Sequence, residues 1–293
     1  MACYVRFWGT RGSIPTPGNK TRKYGGNTSC VELEIDDTLF ICDGGTGLRE
    51  LGLDLQKRRP TEVEAHMFFS HMHWDHIQGF PFFVPAYVPS NKLFVYEVGP
   101  GDDRVHRLLH GQMRSEYFPV TFTDLGSKIV ADHFSDGEKR VGDVTVRCLE
   151  QTHPGRSFAF SFEKNGKKIV YATDSELDLV IVNGNEVEGR PDELRRLPEE
   201  LVQFIAGADL LIADGQYTEE EYASKHGWGH ARAHTVVDLA IQAGVRQCAI
   251  FHHDPMQTDQ LVDEKVESCQ KRAERTAPNL VVFGAREGLT LKF

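Results

Sequence analysis

Nowhere in the 293-residue chain do eighteen apolar residues run together, and the start Met1-Ala2-Cys3-Tyr4-Val5-Arg6 is not the basic region followed by a long apolar run that a secretory leader shows. Neither a membrane span nor secretion is expected. The six cysteines, Cys3, Cys30, Cys42, Cys148, Cys248 and Cys269, include no Cys-x-x-Cys pair. That excludes a zinc knuckle and a dithiol redox motif, and it fits a reducing cytoplasm. Basic residues are in deficit, 33 against 43 acidic, for a formal charge of -10. Such a surface disfavours long nucleic acid, while leaving room for a local basic patch. The densest basic stretches, Lys20 to Lys23 and Lys57-Arg58-Arg59, are short and read as solvated faces. There is no Gly/Ser linker, low-complexity tract or repeat, and 40% apolar content suffices for one large core. A single domain over residues 1–293 is expected.

Histidine is present in abundance, and concentrated. The segment His71-Met72-His73-Trp74-Asp75-His76 follows the apolar run Met67-Phe68-Phe69 and crowds four metal-competent side chains into six residues. Imidazole and carboxylate suit zinc and similar divalent ions, and a stretch leaving a strand can aim alternate side chains at two adjacent ions. On that reading His71 and His73 serve one metal, and Asp75 and His76 the other.

Apolar runs of strand length fall at 3–8, 29–35, 39–42, 65–70, 92–97, 128–132, 143–149, 157–163, 168–172, 209–213, 247–252 and 279–283. Helical spacing covers 46–58, 102–113, 193–206, 234–243 and 259–276, with Gly244 placed as a stop. Many strands and fewer helices predict an α+β fold of two sheets covered by helices. Metal sites in layered folds gather at strand ends, and polar residues follow three of these strands: His153, Asp174, and the doublet His252-His253.

Taken in this order, the residues resemble the metallo-β-lactamase superfamily over nearly the whole chain. The resemblance implies a four-layer αββα sandwich of two mainly antiparallel or mixed sheets with a dinuclear site. It assigns His71, His73 and His153 to one metal, Asp75, His76 and His252 to the other, and Asp174 to both. Two divalent ions per chain are implied, zinc first, with manganese or iron as alternatives. The segment Trp228-Gly229-His230-Ala231 is similar to the Gly-His-Ser/Thr motif of the ribonuclease Z and cyclic phosphodiesterase branch, which favours His252 over His253. Phe7-Trp8-Gly9-Thr10-Arg11-Gly12-Ser13-Ile14-Pro15 and Ile41-Cys42-Asp43-Gly44-Gly45-Thr46-Gly47 resemble the same branch. Their glycines would supply positive φ in tight turns or let backbone approach the metals closely.

Asp75 and His230 are the expected catalytic residues. Two metals would supply a bridging hydroxide and charge stabilisation, and the His230 imidazolium would protonate the departing alkoxide. The alternative for His230 is a cap on the following helix, and His226 and His234 beside it are weaker candidates. Transfer-RNA-processing relatives carry a long arm between the third His and the bridging Asp, whereas only residues 154–173 separate His153 from Asp174. A small phosphodiester is therefore expected, with a cyclic nucleotide favoured. Thioester or lactam hydrolysis and RNA processing are the alternatives. Phe80, Phe82, Phe83, Tyr87 and Tyr217 are candidates to stack on a base, core packing being the competing fate. The polar excursion from Leu177 to Gln203, with Asn183-Gly184-Asn185 as a turn, would be a lid, a homodimer contact or plain surface.

Overall fold

The computed structural model describes residues 3–98, 104–134, 137–184 and 193–293. Its strands, in chain order, are β1 (Cys3–Gly9), β2 (Cys30–Ile35), β3 (Thr38–Cys42), β4 (Glu64–Phe68), β5 (Lys92–Val98), β6 (Lys128–Phe134), β7 (Glu138–Val141), β8 (Val144–Gln151), β9 (Ser157–Lys164), β10 (Lys167–Ala172), β11 (Leu210–Asp214), β12 (Gln247–Phe251), β13 (Val281–Gly284) and β14 (Thr290–Lys292). The α-helices are α1 (Gly47–Arg58), α2 (Trp74–Ile77), α3 (Arg104–Gln112), α4 (Glu199–Ile205), α5 (Glu219–Tyr222), α6 (Ala233–Gln242) and α7 (Asp259–Thr276). They fold into two compact units. The first comprises Met1–Gly18, Gly25–Gly142 and Arg286–Phe293, and the second comprises Asn19–Tyr24 and Asp143–Ala285.

In the first unit the sheet order is β14-β1-β2-β3-β4-β5-β6. Its first strands pair antiparallel, because the Asp36-Asp37 turn returns β2 directly into β3. From β3 to β6 the pairing is parallel, since each step crosses back through helical chain such as α1. One face packs a core that includes Trp8, Ile41, Leu51, Met67 and Phe80. The parallel register Cys42↔Phe68 sets the C-terminal ends of β3 and β4 side by side, so the loops at Asp43 and His71 leave from the same edge.

In the second unit the order is β13-β12-β11-β10-β9-β8. The strands β8, β9 and β10 form antiparallel hairpins, whereas β10 to β13 run parallel. Parallel pairing in the registers Ala172↔Ala213 and Asp214↔Phe251 brings the chain ends after β10, β11 and β12 to one edge. Helices α6 and α7 pack on this sheet with Val236, Leu239 and Cys269 in its core. Arg272 of α7 clamps the buried Asp238 of α6 through Nε and Nη2 at 2.6 and 2.8 Å.

The helix over 259–276 has the bounds its spacing predicts, with the Thr258 hydroxyl accepting from Leu261 N. The expected helix over 193–206 forms only from Glu199, because Pro198 pushes the residue before it out of the helical region. Strands β7 and β14 have no counterpart in the apolar runs, being short and largely polar. Residues 102–103 of the helix expected over 102–113, Asn185 of the expected turn and residues 185–192 of the excursion lie outside the described residues. Among the described residues no helix is long and apolar enough to cross a membrane.

Candidate metal centre

The first unit gathers the histidine motif on and around α2. His71 Nε2 and His73 Nδ1 are 2.8 Å apart, the rings of His71 and His76 are 4.2 Å apart, and Asp75 Oδ2 lies 3.2 Å from His76 Nε2. His71, Asp75 and His76 are buried. The two glycine-rich segments hold them. Asp43, at the end of β3, takes His76 Nδ1 at 2.7 Å and also accepts from the backbone N–H and hydroxyl of Ser70. Gly44 donates to the carbonyl of His76, and a Cβ on Gly45 would collide with the carbonyl of Asp75. These glycines serve close approach of backbone to the motif. The N-terminal turn delivers Ser13, whose N–H donates to Asp75 Oδ2 at 2.7 Å.

The second unit gathers His153, Asp174, His230 and His252, and adds Asp214. Asp174 Oδ1 faces His252 Nε2 at 3.2 Å, while Oδ2 faces His230 Nδ1 at 3.8 Å and His153 Nε2 at 3.9 Å. Its two oxygens thus address different imidazoles. His230 Nδ1 lies 2.7 Å from Asp214 Oδ2, and its ring stacks on that of His252 at 4.9 Å. Asp174, Asp214, His230 and His252 each offer a ligand atom within 4.8 Å of the others. The second nitrogens of the other rings are also held: His153 Nδ1 by Gly229 O at 2.9 Å and His252 Nδ1 by Gln216 Oε1 at 3.1 Å. Burial lowers the pKa of His153, which favours the neutral, ligating form.

Backbone conformation marks the same places. Six described non-glycine residues have φ in the left-handed region, and four of them, Ser13, Asp43, Asp174 and His252, belong to these clusters. Such conformations cost of order 1–3 kcal/mol each and persist only where the surroundings enforce them.

His253 does not join the cluster. Its Nε2 goes to Ala285 O at 2.9 Å and its ring meets Tyr24 edge-on. His234 contacts Ser268 and Glu219, and His226 packs against Tyr222. His230 is not spent as a helix cap, since the N-cap of α6 is Arg232 and His230 Nδ1 engages Asp214. Of the candidate stacking aromatics, Phe80, Phe83 and Tyr217 are core residues and only Phe82 is exposed. Three residues carry roles that sequence reasoning missed: Asp214, Gln216 and Glu176. Asp214 had a signal, a polar residue ending the apolar run 209–213. Glu176 had none. Its buried carboxylate accepts from Tyr222 Oη, Gly227 N and Gly229 N at 2.7, 2.6 and 2.7 Å, and so fixes the loop that leads into His230.

The donor chemistry fits divalent ions. Each cluster combines imidazoles and at least one carboxylate, and His76, His153 and His252 have Nδ1 engaged by an acceptor, which leaves Nε2 as the ligating nitrogen. His71 and His73 differ, with Nε2 of the first and Nδ1 of the second converging.

Residues 38–253 match the family model described as a β-lactamase superfamily domain. A ribonuclease Z of Exiguobacterium sp. is 26% identical over 283 residues, covering 85% of this chain and 87% of that protein. Among solved structures, the metallo-β-lactamase fold protein YhfI from Bacillus subtilis aligns with a TM-score of 0.69 at 19% identity, covering 100% of this chain and 99% of that one. Unliganded yeast PDE1 aligns at 0.65 and 16% identity, again over 100% and 99%. The chain has the metallo-β-lactamase fold, with two mixed sheets and helices.

Proposed function

We propose, starting from a chain that belongs to the β-lactamase superfamily, that this protein is a metal-dependent phosphodiester hydrolase acting on a small cyclic phosphodiester, a cyclic nucleotide in first place. The observation that carries the reading is His230, held by Asp214 beside Asp174 and His252. His71, His73 and His153 would hold one divalent ion, Asp75, His76 and His252 a second, and Asp174 would serve both. Two such ions supply an activated water and neutralise charge on the phosphoryl oxygens. The chain's own residues do the rest. Asp214 engages Nδ1 of His230, so a proton for the departing oxygen would come from Nε2. Asp43 and Gln216 orient His76 and His252, and Ser13 steadies Asp75.

Substrate size is argued from the chain between His153 and Asp174. It is consumed by the β9–β10 hairpin, closed by Asn165-Gly166, so nothing there forms an arm to grip a structured RNA. A second reading, cleavage of an RNA phosphodiester, draws on the relative named ribonuclease Z. Metal-loaded protein assayed against cyclic mononucleotides, a precursor tRNA, bis(p-nitrophenyl) phosphate, a thioester and a β-lactam separates the readings. Phosphodiester turnover with cyclic nucleotides ahead of RNA is expected, and turnover of only the thioester or lactam would overturn it. His230→Ala should keep its metal and lose roughly 10²- to 10⁴-fold on a cyclic nucleotide, but less on p-nitrophenyl esters, whose leaving group needs little protonation. Equal losses would assign His230 to oxygen binding instead.

A further inference from the structure

The loop between α5 and α6 leaves Trp228 58% exposed, although the residues around it are engaged in holding the site. Its backbone is fixed from both sides. Its neighbours Gly227 and Gly229 both donate their N–H groups to Glu176, whose carboxylate is 1% exposed. Gly229 has φ 91°, a Cβ there would strike the His153 ring, and its carbonyl takes His153 Nδ1. The next residue is His230. Trp228 therefore stands on backbone packed against one site histidine and continuous with another. Lys225 adds a cation, its Nζ 4.1 Å from the indole centroid, and Trp228 N donates to Lys225 O at 3.1 Å.

A large, flat, exposed ring on rigid backbone loses little entropy on stacking, and a neighbouring ammonium attracts phosphate. We propose that Trp228, with Lys225, is a nucleobase-stacking platform that selects nucleotides over phosphodiesters lacking a base. The proposal rests on the phosphodiesterase reading and adds the base to it. Every base has a π face, so the platform is expected to tolerate base identity while rejecting a bare sugar phosphate. The recognised chemistry, a base next to a phosphodiester, occurs both in a cyclic mononucleotide and in RNA.

The test is calorimetric titration of the zinc-loaded full chain with adenosine monophosphate and with ribose 5-phosphate. The wild type should bind the nucleotide more tightly. Trp228→Ala should weaken nucleotide binding about 5- to 150-fold and erase the difference, and Trp228→Phe should restore most of it. Equal binding of the two probes by the wild type, or an unchanged nucleotide affinity in Trp228→Ala, overturns the platform. Turnover distinguishes the sources. Where the wild type turns over phosphodiesters, a fall in kcat/KM of Trp228→Ala on a cyclic mononucleotide, on a short single-stranded RNA, or on both identifies the substrate served, and a fall on neither again overturns it. Failure of the phosphodiesterase reading would show differently, as a wild type that binds adenosine monophosphate through Trp228 but hydrolyses no phosphodiester.

Discussion

Replacing Glu176 by Gln tests whether one buried carboxylate organises the loop that bears Trp228 and His230. The carboxylate accepts three hydrogen bonds, from Tyr222 Oη and Gly227 N at Oε1 and from Gly229 N at Oε2. An amide offers only one acceptor oxygen. Whichever way it turns, its NH2 group confronts a backbone N–H, that of buried Gly229 or that of more exposed Gly227, which costs up to about 1–3 kcal/mol, and the surviving bonds lose the assistance of the charge, about 1 kcal/mol each. The sum is about 3 kcal/mol or somewhat more, less than typical domain stability, so the variant should fold. Thermal unfolding should shift down by roughly 5 °C or more. Displacing Gly229 releases His153 Nδ1 and misplaces His230, so kcat should fall on the order of 10- to 100-fold. Tyr222→Phe is the control, because it removes one donor, costs about 1 kcal/mol and leaves both backbone bonds. A Glu176→Gln protein that melts within a degree of wild type and keeps its kcat would refute the reasoning.

The metal assignment predicts close to two divalent ions per chain by elemental analysis, with Asp174→Ala losing at least one; a value near zero after reconstitution would remove the assignment. His252→Ala should abolish turnover, while His253→Ala should mainly lose about 1 kcal/mol of stability with its bond to Ala285, and the reverse ranking in assay and melting would transfer the ligand role. Lys265 is buried, donating to Gly215 O, Gln216 O and Gln257 Oε1, and burial pulls its ammonium down to about 8 from 10.5. Between those values the unfolded chain holds a proton that the folded chain has released, so this group makes stability rise with pH from 8 to 10.5, by about 3 kcal/mol at most. Denaturation across that range should show the rise in the wild type and a flatter profile in Lys265→Met; identical profiles would contradict it.

The sequence by itself determined whatever is local. Apolar runs located most strands, continuous spacing bounded α7, and the crowding of His71, His73, Asp75 and His76 after β4 announced metal chemistry, because each signal lies within a turn or two of chain. His153, Asp174 and His252 were legible as polar residues at strand ends, yet nothing local chose His252 over its neighbour beyond a resemblance. Tertiary structure decided the rest. Parallel pairing of β10, β11 and β12 brings Asp174, Asp214 and His252 to one edge from positions far apart in the chain, and no spacing encodes that. The same holds for Asp43 under His76 and Glu176 under Gly227 and Gly229. A buried carboxylate is defined by donors that folding delivers from elsewhere, so its role exists only once the sheet has set which strand ends are neighbours.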